Sequence, residues 1–295
     1  MARDRARDRR QGSARPGRAE VWMERTGYVM GRAESLISRR RMIYTATALT
    51  IAAMAGDDAL APTSRLTRAV ANPRRPTRGA PAHQAATQRP RTAPIRTLAD
   101  YRRAVPGPAY PADAVALTID DGPNPEWTPK ILQLLEAHHV PATFFLIGNQ
   151  VLGHEAIARS VVRAGFHVAN HSWSHPSTLP TMQPGDIHKE IGWAQDKIFT
   201  TTGYLPRLFR SPGGAWSTPV YTQTASMGML PLDWSEDPVD WKRPGTSTIV
   251  HRMMTTRPGQ IMLCHDGGGD RSQTYEALRT VIPALLARGY RFVSL

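Results

Sequence analysis

Between residues 104 and 295, seven short apolar runs alternate with six longer runs of helical periodicity, and that alternation restricts the fold more than any single motif. Val115–Ile119, Ala142–Ile147, Phe166–Ala169, Arg207–Phe209, Met229–Leu232, Gln260–Cys264 and Arg291–Val293 have the length and composition of strands. Thr128–His138, Gln150–Ala164, Asp186–Thr200, Thr218–Met227, Ser247–Thr255 and Ser272–Ala287 read as the helices between them. Regular strand–helix alternation predicts a parallel α/β architecture, most simply a single irregular (β/α)7-type barrel. A doubly wound open sheet is the structural alternative.

In either architecture, residues just past the C-terminal ends of parallel strands share one rim. Five polar clusters occupy those positions: Asp120-Asp121, His171 with His175, Arg210, Asp237 with Asp240, and His265. Adjacent carboxylates repel, a cost usually met where a cation offsets it. Two histidines at i and i+4 share one face of a helical turn and can bind one metal ion. An Asp and two His leave open positions on a metal, as activation of water requires. The inventory is therefore that of a metal-dependent hydrolase. Glycosidic hydrolysis by two carboxylates, Asp120 and Asp237, is a second reading that leaves the histidine pair without a task.

Charge is unevenly placed along the 295 residues. Residues 1–41 hold twelve Arg against five acids, and residues 56–103 hold ten Arg against three, +7 in each case. Residues 104–295 hold fifteen Lys or Arg against sixteen acids, so the catalytic part carries −1 of the total +13. A nucleic-acid partner for that part has no electrostatic support. The single cysteine, Cys264, excludes an internal disulfide; next to His265 in a strand it points to the opposite face and reads as a packed small hydrophobe.

Ser38-Arg39-Arg40-Arg41 precedes an apolar run, Met42 to Ala55, too short to span a bilayer comfortably. A basic stretch, a short apolar stretch and Ala53-Met54-Ala55 describe an export signal of the twin-arginine or general secretory type. Its length ahead of the apolar run suggests initiation at Met23 or Met30. Residues 56–103, rich in Pro and Arg, predict a disordered basic linker. The expected organisation is thus 1–55 extension and signal, 56–103 linker, and 104–295 catalytic domain. The expected location is exported, either secreted or tethered at the cell envelope, with membrane contact only through an uncleaved signal.

Taken in order, the motifs of 110–295 resemble those of the polysaccharide deacetylases with a NodB-homology domain, carbohydrate esterase family 4. They are Thr118-Ile119-Asp120-Asp121-Gly122-Pro123, His171-Ser172-Trp173-Ser174-His175, Arg210-Ser211-Pro212-Gly213-Gly214, Trp234 to Trp241, and Leu263-Cys264-His265. The resemblance implies Asp120 as general base, and Asp121, His171 and His175 as metal ligands. It further implies Arg210 as the holder of the base, His265 as general acid and Asp237 as the group orienting that histidine. Gly213 would offer its N–H to the oxyanion, and Trp241 and Leu263 would line the acetyl pocket. The family usually carries an aromatic residue where this chain has Gly213; the N–H remains, the aromatic wall does not. The implied activity is hydrolysis of N-acetyl, less readily O-acetyl, groups on a polysaccharide such as peptidoglycan or a chitin-type glycan. Zinc suits a nitrogen and oxygen ligand set with a hydrolytic role, with cobalt or nickel as substitutes. A catalytically inactive glycan-binding module on a basic tether is the non-enzymatic alternative.

Overall fold

The computed structural model describes residues 90–295; the signal run 42–55 and the linker up to residue 89 lie outside the described residues. Seven parallel strands form the sheet: β1 (Ala114–Asp120), β2 (Thr143–Leu146), β3 (His167–Asn170), β4 (Leu208–Phe209), β5 (Leu230–Pro231), β6 (Ile261–His265) and β7 (Arg291–Val293). Helices α1 (Leu98–Ala104), α2 (Trp127–Ala137), α3 (Gly148–Val151), α4 (Glu155–Arg163), α5 (Pro184–Thr202), α6 (Thr218–Ser226), α7 (Thr246–Met253) and α8 (Ser272–Ala287) complete the described elements. The order across the sheet is β5-β4-β3-β2-β1-β6. One edge of β1 is shared, with β7 against Ala114–Ala116 and β2 against Thr118–Asp120, while β6 takes the other edge. This is the expected irregular (β/α)7 barrel.

Strand β1 is buried along its whole length, so its side chains serve two cores by turns. Val115, Leu117 and Ile119 join the larger core between sheet and helices, with Ile131, Leu135, Val281 and Leu285 of α2 and α8. Ala114 and Ala116 belong to a second core inside the barrel, with Phe145, Ala169, Leu208 and Ile261. Continuing the same alternation, Thr118 and Asp120 face inward. The barrel interior is thus filled by apolar groups below and opens onto a carboxylate at its C-terminal end.

The structure departs from the sequence pattern in two places. The helix expected over Gln150–Ala164 is two helices, α3 and α4, separated at Leu152-Gly153-His154, where Gly153 adopts φ +90°. The disordered linker expected to run to residue 103 does not: Ile95, Leu98 and Tyr101 are buried in the inner core. Thr97 caps α1, its hydroxyl accepting from the Asp100 N–H. Residues 95–97 lie in the seam between β5 and β6, Ile95 bridging to Leu232 and Thr97 to Gln260. The Ile95 N–H donates to the Pro231 carbonyl, and the Asp233 N–H donates to the Ile95 carbonyl. Composition hid this, because three buried apolar side chains suffice to anchor a Pro- and Arg-rich stretch. Ile95→Ala is expected to destabilise the barrel by roughly 2–5 kcal/mol, read from chemical denaturation midpoints.

Candidate active site

Asp120 and His265 are register partners on the adjacent strands β1 and β6, so the rim begins with an acid and an imidazole side by side. Asp121 follows in the left-handed region (φ 75°), which turns it away from the strand direction and lets neighbouring carboxylates diverge. Arg210, at the end of β4 and fully buried, places Nη1 2.6 Å from Asp120 Oδ1. Its other nitrogens donate to the carbonyls of Leu232 and Asp233, at 3.3 and 3.1 Å, and its guanidinium lies 4.1 Å above the Phe145 ring. The arginine therefore holds Asp120 by one oxygen and balances its charge, while Oδ2 of the same carboxylate turns toward His171, 3.5 Å away.

The histidine pair is not on a helical turn, contrary to expectation. It lies in the loop after β3, where Ser172 and His175 both take positive φ, 67° and 57°, and the two rings come within 4.8 Å of each other. Local hydrogen bonds replace the helix. Asn170 Oδ1 accepts from the Ser172 N–H, and the Ser172 hydroxyl accepts from the His175 N–H. Buried Glu190 of α5 accepts from the N–H groups of Trp173 and Ser174 and from the Ser174 hydroxyl. His171 Nδ1 donates to the Arg210 carbonyl at 2.8 Å, which leaves Nε2 as the ring's available atom.

That atom lies 3.5 Å from Asp121 Oδ1, and His175 Nε2 lies 3.4 Å from the same oxygen. Among the described residues, Asp121, His171 and His175 are the cluster able to hold a metal ion. Asp121 Oδ1 is buried and has no hydrogen-bond partner, an arrangement native structures seldom leave unexplained. Bonds of about 2.0–2.1 Å at tetrahedral angles separate zinc ligands by about 3.3 Å, close to both separations here. The donor set fits a divalent cation. Burial opposes ionisation of Asp121, but its close contact with His171 and the attraction of His171, His265 and His175 hold its carboxyl below the usual range.

His265 does not pair with Asp237, the partner expected from sequence; it pairs with Asp240. Nδ1 of His265 donates to Asp240 Oδ1 at 2.7 Å, and the His265 N–H donates to Asp240 Oδ2 at 2.9 Å. Thr274 of α8 donates to that second oxygen as well. Asp237 instead accepts from the Val239 N–H at 2.7 Å, helping Val239 into a left-handed conformation (φ 56°) that turns the chain and carries Asp240 inward. Both acids follow β5 within one short loop, so spacing alone could not separate them. Burial works against a charge on His265, but the bond to Asp240 and the attraction of Asp240, Asp121 and Asp120 outweigh it and push its pKa up to about 9.

The remaining candidates lie on the segments that carry this centre, Gly213 three residues after Arg210, Leu263 two before His265 and Trp241 next to Asp240. Gly213 is exposed in the turn after β4 with φ 63°, and open space surrounds the position a Cβ would take. Leu263 is buried on the face of β6 that also carries Ile261 and His265, whereas Cys264 joins the outer core. Trp241 is half-exposed, with the Lys242 ammonium 4.8 Å from its ring centre, so it is not a core residue.

Sequence reasoning passed over Asn170, Glu190, Asp233 and Asp266, which carry much of the supporting network. Asp266 is fully buried, accepts from the Thr128 hydroxyl, and lies so close to Gly122 that a Cβ there would meet its carboxylate at 2.5 Å. Burial, reinforced by Asp121 and Asp120 and countered by the Thr128 bond, pushes its pKa up to about 7. Its position immediately after His265 was the only signal available beforehand.

Residues 108–232 match the family model described as polysaccharide deacetylase. A chitooligosaccharide deacetylase from a Bradyrhizobium species is 42% identical over 190 residues, covering 60% of this chain and 86% of the relative. A peptidoglycan-N-acetylglucosamine deacetylase from Bacillus cereus is 38% identical over 184 residues, covering 61% and 85%. Among solved structures, a CE4 family pseudoenzyme from Bacillus anthracis superposes with a TM-score of 0.59 at 33% identity, covering 64% of this chain and 68% of that one. With the motif order, the barrel and these relatives in agreement, the chain belongs to the polysaccharide deacetylase family.

Proposed function

We propose that the chain is a metal-dependent, exported hydrolase that removes N-acetyl groups from a glycan containing N-acetylglucosamine. One observation carries the reading. A carboxylate held by arginine (Asp120–Arg210) and an imidazole held by carboxylate (His265–Asp240) stand as neighbours on adjoining strands, beside the Asp121, His171 and His175 cluster. The chitooligosaccharide and peptidoglycan relatives favour an amide over an ester and an N-acetylglucosamine polymer over a xylan.

Asp121, His171 and His175 would hold the cation. When bound, a divalent ion supplies a Lewis acid that makes water a better nucleophile and draws charge from an acyl oxygen; zinc suits the donor set. Asp120, fixed by Arg210, takes the proton from the attacking water. The Gly213 N–H donates to the oxygen that gains negative charge, and Leu263 and Trp241 bound the space for the methyl group. His265 carries its proton on Nε2 toward the amide nitrogen and delivers it as the carbon–nitrogen bond breaks, giving acetate and a free amine. The salt link to Asp240 keeps that imidazole charged at neutral pH, so the acid is ready before the substrate arrives.

The purified chain is expected to release acetate from N-acetylchitooligosaccharide and N-acetylated peptidoglycan faster than from acetylxylan. A chelator is expected to abolish the release and added zinc to restore it. Acetate release indifferent to chelation, with metal shown to be absent, would overturn the metal-dependent reading. A second reading, glycan binding without turnover, follows from the pseudoenzyme among the similar structures. Glycan affinity with no acetate released under zinc, cobalt or nickel would favour it.

A further inference from the structure

The loop between β6 and α8 carries three consecutive glycines, Gly267-Gly268-Gly269, and the chemistry of the rim gives them no task. Gly268 and Gly269 take φ +72° and +120°, conformations that side chains rarely adopt, so the turn alone accounts for glycine there. Gly267 has no such φ. What excludes a side chain at Gly267 is a neighbour: a Cβ there would collide with the backbone carbonyl of Asp121 and stand 2.8 Å from the Asp121 Cβ. A Cβ on Gly268 would stand 2.9 Å from Asp121 Oδ2. The loop thus lies against both the main chain and the carboxylate of Asp121, with no room for a methyl group between them.

The contact runs both ways. The N–H groups of Asp266 and Gly267 donate to the Asp120 carbonyl at 3.0 and 3.4 Å, and a Cβ on Gly122 would meet the Asp266 carboxylate at 2.5 Å. Residues 120–122 and 266–268 therefore interlock. Asp121 needs such a support, because its own φ of 75° is one that a non-glycine residue holds only when its surroundings impose it.

Arg271 closes the loop from its other end. The side chain is buried, its Nε donating to the Gly267 carbonyl at 2.5 Å and its Nη2 to the Gly268 carbonyl at 3.2 Å. The Arg271 carbonyl accepts from the Tyr275 N–H in the first turn of α8, which ties this strut to a helix. Nη2 of Arg271 and Oδ2 of Asp121 each lie 2.9 Å from the point a Gly268 Cβ would take. A positive charge so near the cluster repels a cation, so what Arg271 offers the site is geometry, not charge.

We propose that the Gly267-Gly268 loop, braced by Arg271, is the template that fixes the position and rotation of Asp121, and through it the affinity of the Asp121, His171 and His175 cluster for its cation. The inference rests on the reading of that cluster as a metal site. Arg271 is then a positioning residue, acting on Asp121 through the loop.

The test strips the full chain of metal and measures zinc Kd by competition with a chromophoric chelator. The visible spectrum of the cobalt form and the melting of the metal-free protein are recorded beside it. Gly267→Ala is expected to raise zinc Kd about 10- to 100-fold and to change the cobalt bands. Gly269→Ala is the control: it strains the same loop, but nothing lies within 4 Å of its Cβ, so zinc Kd should stay within about threefold even if melting falls. Arg271→Met should weaken zinc roughly 10-fold, although loss of a nearby positive charge would by itself tighten it. Lower melting temperatures with wild-type Kd and cobalt bands in Gly267→Ala and Arg271→Met would reduce the loop to a structural turn and overturn the template. Tighter zinc in Arg271→Met, or equal weakening in Gly269→Ala, would overturn it as well. A wild-type chain that binds no zinc would overturn the metal-site reading, and the template with it.

Discussion

Asp120→Asn is expected to lower kcat for acetate release by roughly 10²–10⁴-fold, the range over which a positioned general base operates. Asparagine keeps the shape of the side chain and can still accept from Arg210 through its amide oxygen, so the rim should stay folded. What disappears is the site that receives the proton. Asp121, His171 and His175 are untouched, so zinc stoichiometry measured by elemental analysis should stay near that of the wild type. That combination, metal retained and turnover lost, separates a base from a ligand. Loss of zinc in the variant would make Asp120 a ligand, and near-normal turnover would remove it from the mechanism.

Asp240→Asn is the second large effect, and its signature is in the pH profile. In the wild type His265 holds its proton up to a pKa of about 9, so the acid form persists through neutral pH and declines only on the alkaline side. Asparagine offers one acceptor oxygen where the carboxylate accepts from the His265 N–H, His265 Nδ1 and Thr274 together. Without the carboxylate charge, burial of the imidazole is left largely unopposed and its pKa falls. The alkaline limb of kcat/KM should therefore move to lower pH, with kcat at neutral pH reduced roughly 10²-fold or more. An unshifted alkaline limb in this variant would mean that His265 is not the titrating acid.

Much of the architecture was legible because buried parallel strands read as unbroken apolar runs, and all seven were located to within a few residues. The rim residues were legible for the same reason: once the strand ends are known, so is the set of side chains that must meet. What escaped was decided by backbone conformations that composition does not encode. Left-handed Ser172 and His175 replaced the expected helical turn, and left-handed Val239 carried Asp240 rather than Asp237 to His265. Glu190 was invisible because its three acceptor contacts are with a loop sixteen and seventeen residues earlier in the chain. Ile95 and Leu98 were masked by the prolines and arginines around them.

The seam at residues 95–97 has a consequence for how this barrel behaves among its own copies. An open parallel sheet ends in two rows of unpaired N–H and C=O groups, and such rows invite pairing with another chain. Here β5 and β6 are the ends of the main strand order; the short stretch through Ile95 and Thr97 donates to Pro231 of β5 and bridges to Leu232 and Gln260, just after β5 and just before β6, while the Ser235 and Glu236 N–H groups donate to the Ile261 carbonyl of β6. A piece of chain whose composition reads as spacer thus acts as a guard strand, occupying the hydrogen-bonding edges through which barrels of this kind would otherwise stick to one another.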